Sequence, residues 1–216
     1  MSGLNLAAIE DALREFQLAF TSINRELDDR REPLDDEVVV NMIEGYALVN
    51  ELLTERIDLF AWGGSPYWLK INAVVLCGRA GASAESNRRM LLATESRFYD
   101  DALGGFRELM DWYAFNLGKS VWWRASGVYF HLLSEPQLFL EGNHRTGALI
   151  ISYMLAREGR PPFVLTKGAA RGFLNPSSAI KSSRRQGLIR SFKLRLETRS
   201  FAEFLKAQQN PRFLSF

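Results

Sequence analysis

The chemistry this sequence offers is concentrated between Pro136 and Gly147, which read Pro136 Gln137 Leu138 Phe139 Leu140 Glu141 Gly142 Asn143 His144 Arg145 Thr146 Gly147 and lie between two stretches of helical apolar spacing. These residue types suit a phosphate. Gly142 permits a tight backbone turn, and a helix starting behind it presents unbonded N–H groups and the positive end of its dipole to an anion. Arg145 in the first turn can add a bidentate guanidinium contact. Glu141 can hold a hydrated divalent cation that bridges phosphate oxygens, and Asn143 can cap the helix or donate. The same residues also fit a plain capped helix start, in which Glu141 and Arg145, four apart, pair with each other. On the residues alone these two accounts stand level.

Helices must position that segment, because apolar spacing is helical along nearly the whole chain. The clearest case runs from Asp36 to Leu53, where Val39, Ile43, Tyr46, Val49, Leu52 and Leu53 recur at three to four. Pro33 and Asp35 stand where its start is expected. Trp68 to Cys77, Gly105 to Asn116 and Val121 to Leu133 predict further helices, and Gly147 to Arg157 begins another. Loops are expected at Gly63 to Pro66, Gly78 to Asn87, Gly118 to Ser120 and Gly159 to Pro162. Arg88 to Phe98 is expected as a short surface β-hairpin. There is no internal repeat, and no linker is long enough to divide the chain into separate domains. The expectation is one all-α domain.

Composition agrees with this reading. The chain has 216 residues, 47% hydrophobic and 24% charged, with one cysteine, which excludes disorder, collagen and a disulfide framework. A chain of this size buries roughly 70% of its unfolded surface, and Cys77 is expected as a small buried hydrophobe. No basic, then apolar, leader opens the sequence and no apolar run approaches the roughly 20 residues of a spanning helix. A cytoplasmic location without a membrane partner is expected. The net charge of +2 hides a gradient: residues 1–60 carry −9, residues 61–159 carry +1 and residues 160–216 carry +10. Nucleic acid is not the expected partner of the basic end, since zinc-ligand spacing, helix-turn-helix signals and aromatic RNA motifs are lacking.

The segment also resembles the signature of the Fic/Doc (Fido) family, HPFx(D/E)GNGRxxR, through Phe139, Glu141, Gly142, Asn143 and Arg145 in register. The resemblance spreads over roughly residues 36–165: Val39 and Asn41 match a V-x-N helix, Trp68 to Cys77 a core helix, Arg88 to Phe98 the flap and Leu109 to Trp112 an L-x-x-W helix. It implies a Fido core at 36–165, between an N-terminal helical extension at 1–35 and a basic helical extension at 166–216. It further implies ATP or another nucleotide bound with Mg2+, and transfer of AMP or a related group to a hydroxyl of an unknown protein target; a homo-oligomer is compatible with it. Carried over by residue, Glu141 is the metal ligand, Gly142 and Asn143 cradle phosphates, Arg145 clamps the terminal phosphates and Phe139 anchors the loop.

The departures bear on catalysis. Gln137 occupies the position of the catalytic histidine, and an amide cannot take a proton from a hydroxyl, a task commonly worth roughly 10² to 10⁴ in rate. Ala148 replaces the second arginine, Leu138 the proline, and His144 the second glycine, where its ring can reach phosphate. His131 is expected as a helix-face or core residue, and Glu135 as an exposed acid at a helix end; neither these nor His144 is the expected substitute base. Ser22 to Glu26 partly matches the family's inhibitory pattern, as does Val40 to Gly45; neither is expected to inhibit. Asn175 and Pro176 predict a turn with a helix behind it, followed by a basic run with Lys181, Arg184, Arg185 and Arg190. The expected function is nucleotide binding with weak or altered transfer; the alternative is a non-catalytic Fido module that binds a ligand or partner.

Overall fold

A computed structural model describes residues 3–103, 105–181 and 188–215. Among them the order is β1 (Gly3–Leu4), α1 (Leu6–Arg25), α2 (Asp36–Thr54), α3 (Ser65–Gly81), α4 (Glu85–Phe98), α5 (Phe106–Phe115), α6 (Val121–Leu133), α7 (Asn143–Arg157), α8 (Ala170–Lys181), α9 (Leu188–Ala207) and β2 (Leu214–Ser215). The fold is all-α apart from one small antiparallel sheet, in which Gly3 faces Ser215 and Leu4 faces Leu214.

Helix α7 is the centre of the molecule. Every residue from Thr146 to Ala156 is buried, the mark of a helix surrounded by others, and α2, α3 and α6 pack around it. Close approach of α2 depends on Gly45, since a Cβ there would stand 2.4 Å from a methyl of Leu149. Trp68, Tyr46, Tyr129 and Phe139 complete the core as its large, almost fully buried side chains. α1 lies on α2, and α9 lies on α6, so the acidic N-terminal and basic C-terminal segments both pack onto the middle of the chain.

The structure corrects four local expectations. Residues 88–98 form α4 and not a β-hairpin: Arg, Met, Leu, Ala and Glu dominate there, all favourable in helices, and only Thr94 and Phe98, four apart, are buried. The sheet instead ties the two ends of the chain together. Gly78 interrupts α3 at φ +67 without ending it, and the helix resumes as far as Gly81. Asn175 and Pro176 lie inside α8, where Asn175 Oδ1 accepts from the N–H of Asp28. Finally, α7 starts at Asn143, four residues before Gly147, because Gly142 supplies the turn. Arg184 and Arg185 lie outside the described residues. No helix among the described residues is long and apolar enough to cross a membrane.

Candidate functional site at the start of α7

The chain leaving α6 is held by short-range hydrogen bonds. Ser134 Oγ donates to Phe130 O, and Leu138 N to Leu132 O. Phe139 is 1% exposed and stacks on Phe98 of α4, with ring centroids 5.3 Å apart. The next turn is made by Gly142, whose φ of +72° is the left-handed region that favours glycine. A Cβ there would also stand 3.1 Å from both Asn72 Nδ2 and Leu76 Cδ2. Thr146 N bonds Gly142 O, which is the first backbone bond of the helix, so the N–H groups of the turn before Thr146 precede its hydrogen-bond ladder.

Asn143 closes this loop as a clasp. Its Oδ1 accepts from Phe139 N at 2.9 Å, and its Nδ2 donates to Phe139 O at 2.8 Å and to Gln137 Oε1 at 3.0 Å. The side chain is 4% exposed and both amide protons are committed, so the expectation that this amide donates to phosphate is replaced by a structural role. Only its backbone N–H remains for a ligand. Gln137 is correspondingly fixed, its carbonyl oxygen already accepting a hydrogen bond.

Arg145 is drawn toward α3. Its Nη1 donates to Val75 O at 3.0 Å, one of the carbonyls freed where Gly78 interrupts that helix, while on the other side of the break Glu44 Oε2 accepts from Arg79 N at 2.6 Å. Burial pushes the Arg145 pKa below its ordinary value, and the Glu141 charge opposes that shift; a guanidinium nevertheless stays charged. Its Nε and Nη2 have no hydrogen bond among the described residues. No ion pair joins Arg145 to Glu141, whose side chain is exposed, so the pairing that would make this segment a plain capped helix start does not form.

The remaining candidates separate. His144 turns Nδ1 to the hydroxyl of the buried Tyr129 at 3.2 Å. His131 sits on α6 with its ring 4.9 Å from that of Trp112, and Glu135 is exposed. Ala148 is 4% exposed, in a place that leaves no room for an arginine without repacking. Glu26 of the first inhibitory pattern pairs with Arg171 at 3.2 Å, and Glu44 of the second is the cap at the α3 break. Cys77 is half-buried, its thiol pushed up by burial and then by the Glu37 charge. Among the described residues no group of three or more His, Cys, Asp or Glu could hold a metal ion.

One residue that sequence reasoning missed is Asn72. It is 1% exposed on α3, and its Nδ2 donates both to Glu141 O and to Thr146 Oγ1 at 3.0 Å. This side chain joins the loop to the helix behind it. The signal was a polar residue set among Ile71, Val74 and Val75, in a stretch otherwise read as core.

No family model matches the sequence, and no curated protein matches it. Among solved structures, a Fic domain containing signaling protein from Bacteroides thetaiotaomicron is similar over 94% of this chain and 96% of that one, with a TM-score of 0.47 and 14% identity.

Proposed function

We propose that the chain is a Fic/Doc-type (Fido) module that binds a phosphate-bearing ligand, a nucleotide in the first instance, at the start of α7, and that transfer from it is slowed or lost. The observation that carries the reading is the junction at Gly142: a left-handed glycine opens a buried helix whose first N–H groups lie beside an arginine with donors to spare. This is the backbone arrangement that suits phosphate oxygens. Magnesium would rest on the exposed Glu141 carboxylate and on the ligand's own phosphates, the usual pattern for an ion that keeps its waters and takes one or two carboxylates. Gln137 supports the loss of transfer, since its amide is locked on Asn143 and can accept no proton from a target hydroxyl. The second reading, a partner-binding module without nucleotide, is favoured by the committed amide of Asn143 and by Leu140, half exposed at the loop tip.

Calorimetric titration of ATP with magnesium into the wild type and Arg145→Ala tests this. Saturable binding, weakened about tenfold or more in a variant whose unfolding midpoint shows it folded, is expected, because charge-assisted hydrogen bonds are worth about 1.5 to 3 kcal/mol. Absence of binding in the wild type leaves the second reading. In the same samples, labelled ATP should leave lysate proteins unlabelled by the wild type. Gln137→His should raise labelling, and equal silence from a nucleotide-bound Gln137→His variant would show that more than the base is missing.

A further inference from the structure

Three connections meet at the C-terminal end of α7: residues 55–64 after α2, 116–120 after α5 and 158–162 after α7. Phe60 stacks on Tyr113 with ring centroids 3.9 Å apart, Asp58 pairs with Arg157, and Arg124 Nε donates to Lys119 O at 3.1 Å. Between them opens a pocket whose charged wall residues are matched within the fold, Asp58 with Arg157 and Glu158 with Arg124. What it offers an incoming group is therefore apolar: Phe60, Met110, Ala114, Leu117 and Met154. Leu117 is 59% exposed, and Trp62 and Phe115, each two residues from a wall residue, are 105% and 88% exposed. Large apolar side chains gathered at a surface mark interaction sites. Of the charged side chains on these connections that bond no partner among the described residues, three are cations, Arg56, Lys119 and Arg160, and one is an acid, Glu55. Such a face suits an apolar group carried among carboxylates.

One group of that kind is on this chain. Asp11, Glu15, Leu18 and Ser22 follow one another at four, three and four along the exposed side of α1, and Leu18 is 87% exposed. Neither acid has an ion pair among the described residues, the neighbouring Arg14 being taken up by Glu10 and Asp36. Arg25, next along that side, carries the opposite charge, as Glu55 does on the pocket face. We propose that the pocket at the C-terminal end of α7 takes α1 of a second copy of this chain, with Leu18 among Leu117, Phe115 and Trp62 and with Asp11 and Glu15 against the unpaired cations. The two faces differ, so the contact is head-to-tail and leaves each chain a face open for the next. One helix face on one pocket is a small interface, of the kind below roughly 1,200 Å² that makes transient complexes. This inference is independent of nucleotide binding at the start of α7.

Sedimentation velocity of the full chain over a range of concentrations tests it. At low salt the average mass should rise with concentration from that of one chain to beyond that of two, and it should fall back as salt screens the charges at the edge of the contact. Leu18→Ser and Leu117→Asp, both at exposed positions and each checked for an unchanged unfolding midpoint, should weaken self-association about tenfold or more, the worth of a buried leucine side chain. Mixed in equal amounts, the two variants should form a two-chain particle and nothing larger, because one supplies an intact pocket and the other an intact α1. The proposal is overturned if the wild type stays at one chain at every concentration, if either variant associates like the wild type, or if the mixture stays at one chain. Association that strengthens with salt would overturn it as well, since the charges at the edge would then play no part.

Discussion

The two ends of α7 carry similar residue types and put them to opposite use. At its C-terminal end arginine and acid are matched. Arg157 grips Asp58 with both Nη atoms, Arg124 pairs with Glu158 and donates to Tyr113 Oη at 2.8 Å, and Tyr153 Oη donates to Ile57 O. These contacts fasten the end of α7 to the segment after α2 and to α5 and α6. At its N-terminal end Arg145 commits one donor to Val75 O, and Glu141 is exposed with no ion pair among the described residues. A cluster of arginine and acid therefore says little by itself. What distinguishes a fastening from a receptive site is how much of its hydrogen-bonding capacity the fold has already consumed.

The contrast is broken most severely at Asn143, which is both clasp and helix start. Asn143→Ala removes three hydrogen bonds from a buried loop and strands Phe139 N and O, so denaturant unfolding should show a loss of about 3 kcal/mol, reckoned at roughly 1 kcal/mol per bond. A loss below about 1 kcal/mol would mean that the loop is not held from within. At the opposite end Arg124→Met keeps much of the apolar stem of a 9% exposed residue but frees Glu158 and Tyr113. Because Glu158 is 43% exposed and can turn to water, the expected cost is smaller, about 1 to 2 kcal/mol. The same variant should leave nucleotide titration unchanged, whereas Arg145→Ala should not.

How far the sequence carried this contrast follows from what each end requires. The turn at Gly142 was legible because glycine is the residue that takes a left-handed backbone without strain, and the helices around it were legible from apolar period alone. The clasp by Asn143 was not, since asparagine at a helix start can equally cap, donate outward or bond its own loop, and only the path of the loop through Gln137 and Phe139 decides. The fastening at the C-terminal end was invisible for another reason: Asp58 and Arg157 are 99 positions apart in sequence. Residues 88–98 misled because an alternating pattern, and then a family's flap, were read at a place where local propensity favours helix. Asn72 went unread because a lone polar residue in an apolar run is ordinary until its neighbours are known.

Acid should act on the fastened end selectively. Burial alone would raise the Asp58 carboxyl, but hydrogen bonds from Arg157 and from Phe60 N–H, with the Arg157 charge, outweigh it and hold the pKa below the ordinary carboxylate value. A depressed folded pKa stabilises the fold above the unfolded value of about 3.9, and that contribution is lost as pH falls through the folded one. Stability measured from about pH 6 downward should therefore fall less steeply below about pH 4 in Asp58→Asn than in the wild type. With Asp58 34% exposed and the pair open to screening, the effect at neutral pH should be about 1 kcal/mol or less. Parallel curves for the two proteins would place the acid sensitivity elsewhere.

The smallest change is expected at Glu141, and its smallness is informative. Its carboxylate is exposed, has no ion pair among the described residues and shares only a long-range attraction with Arg145, so Glu141→Gln should move the unfolding free energy by no more than about 0.5 kcal/mol, as surface substitutions do. Its backbone carbonyl, which carries the bond from Asn72, is untouched by the change. If the carboxylate instead holds magnesium for a bound nucleotide, the variant should lose the difference between ATP titrated with magnesium and ATP titrated with EDTA. A stable variant whose nucleotide affinity no longer responds to magnesium assigns the acid to the ligand, and one whose response is intact leaves the N-terminal end of α7 as a metal-independent anion site.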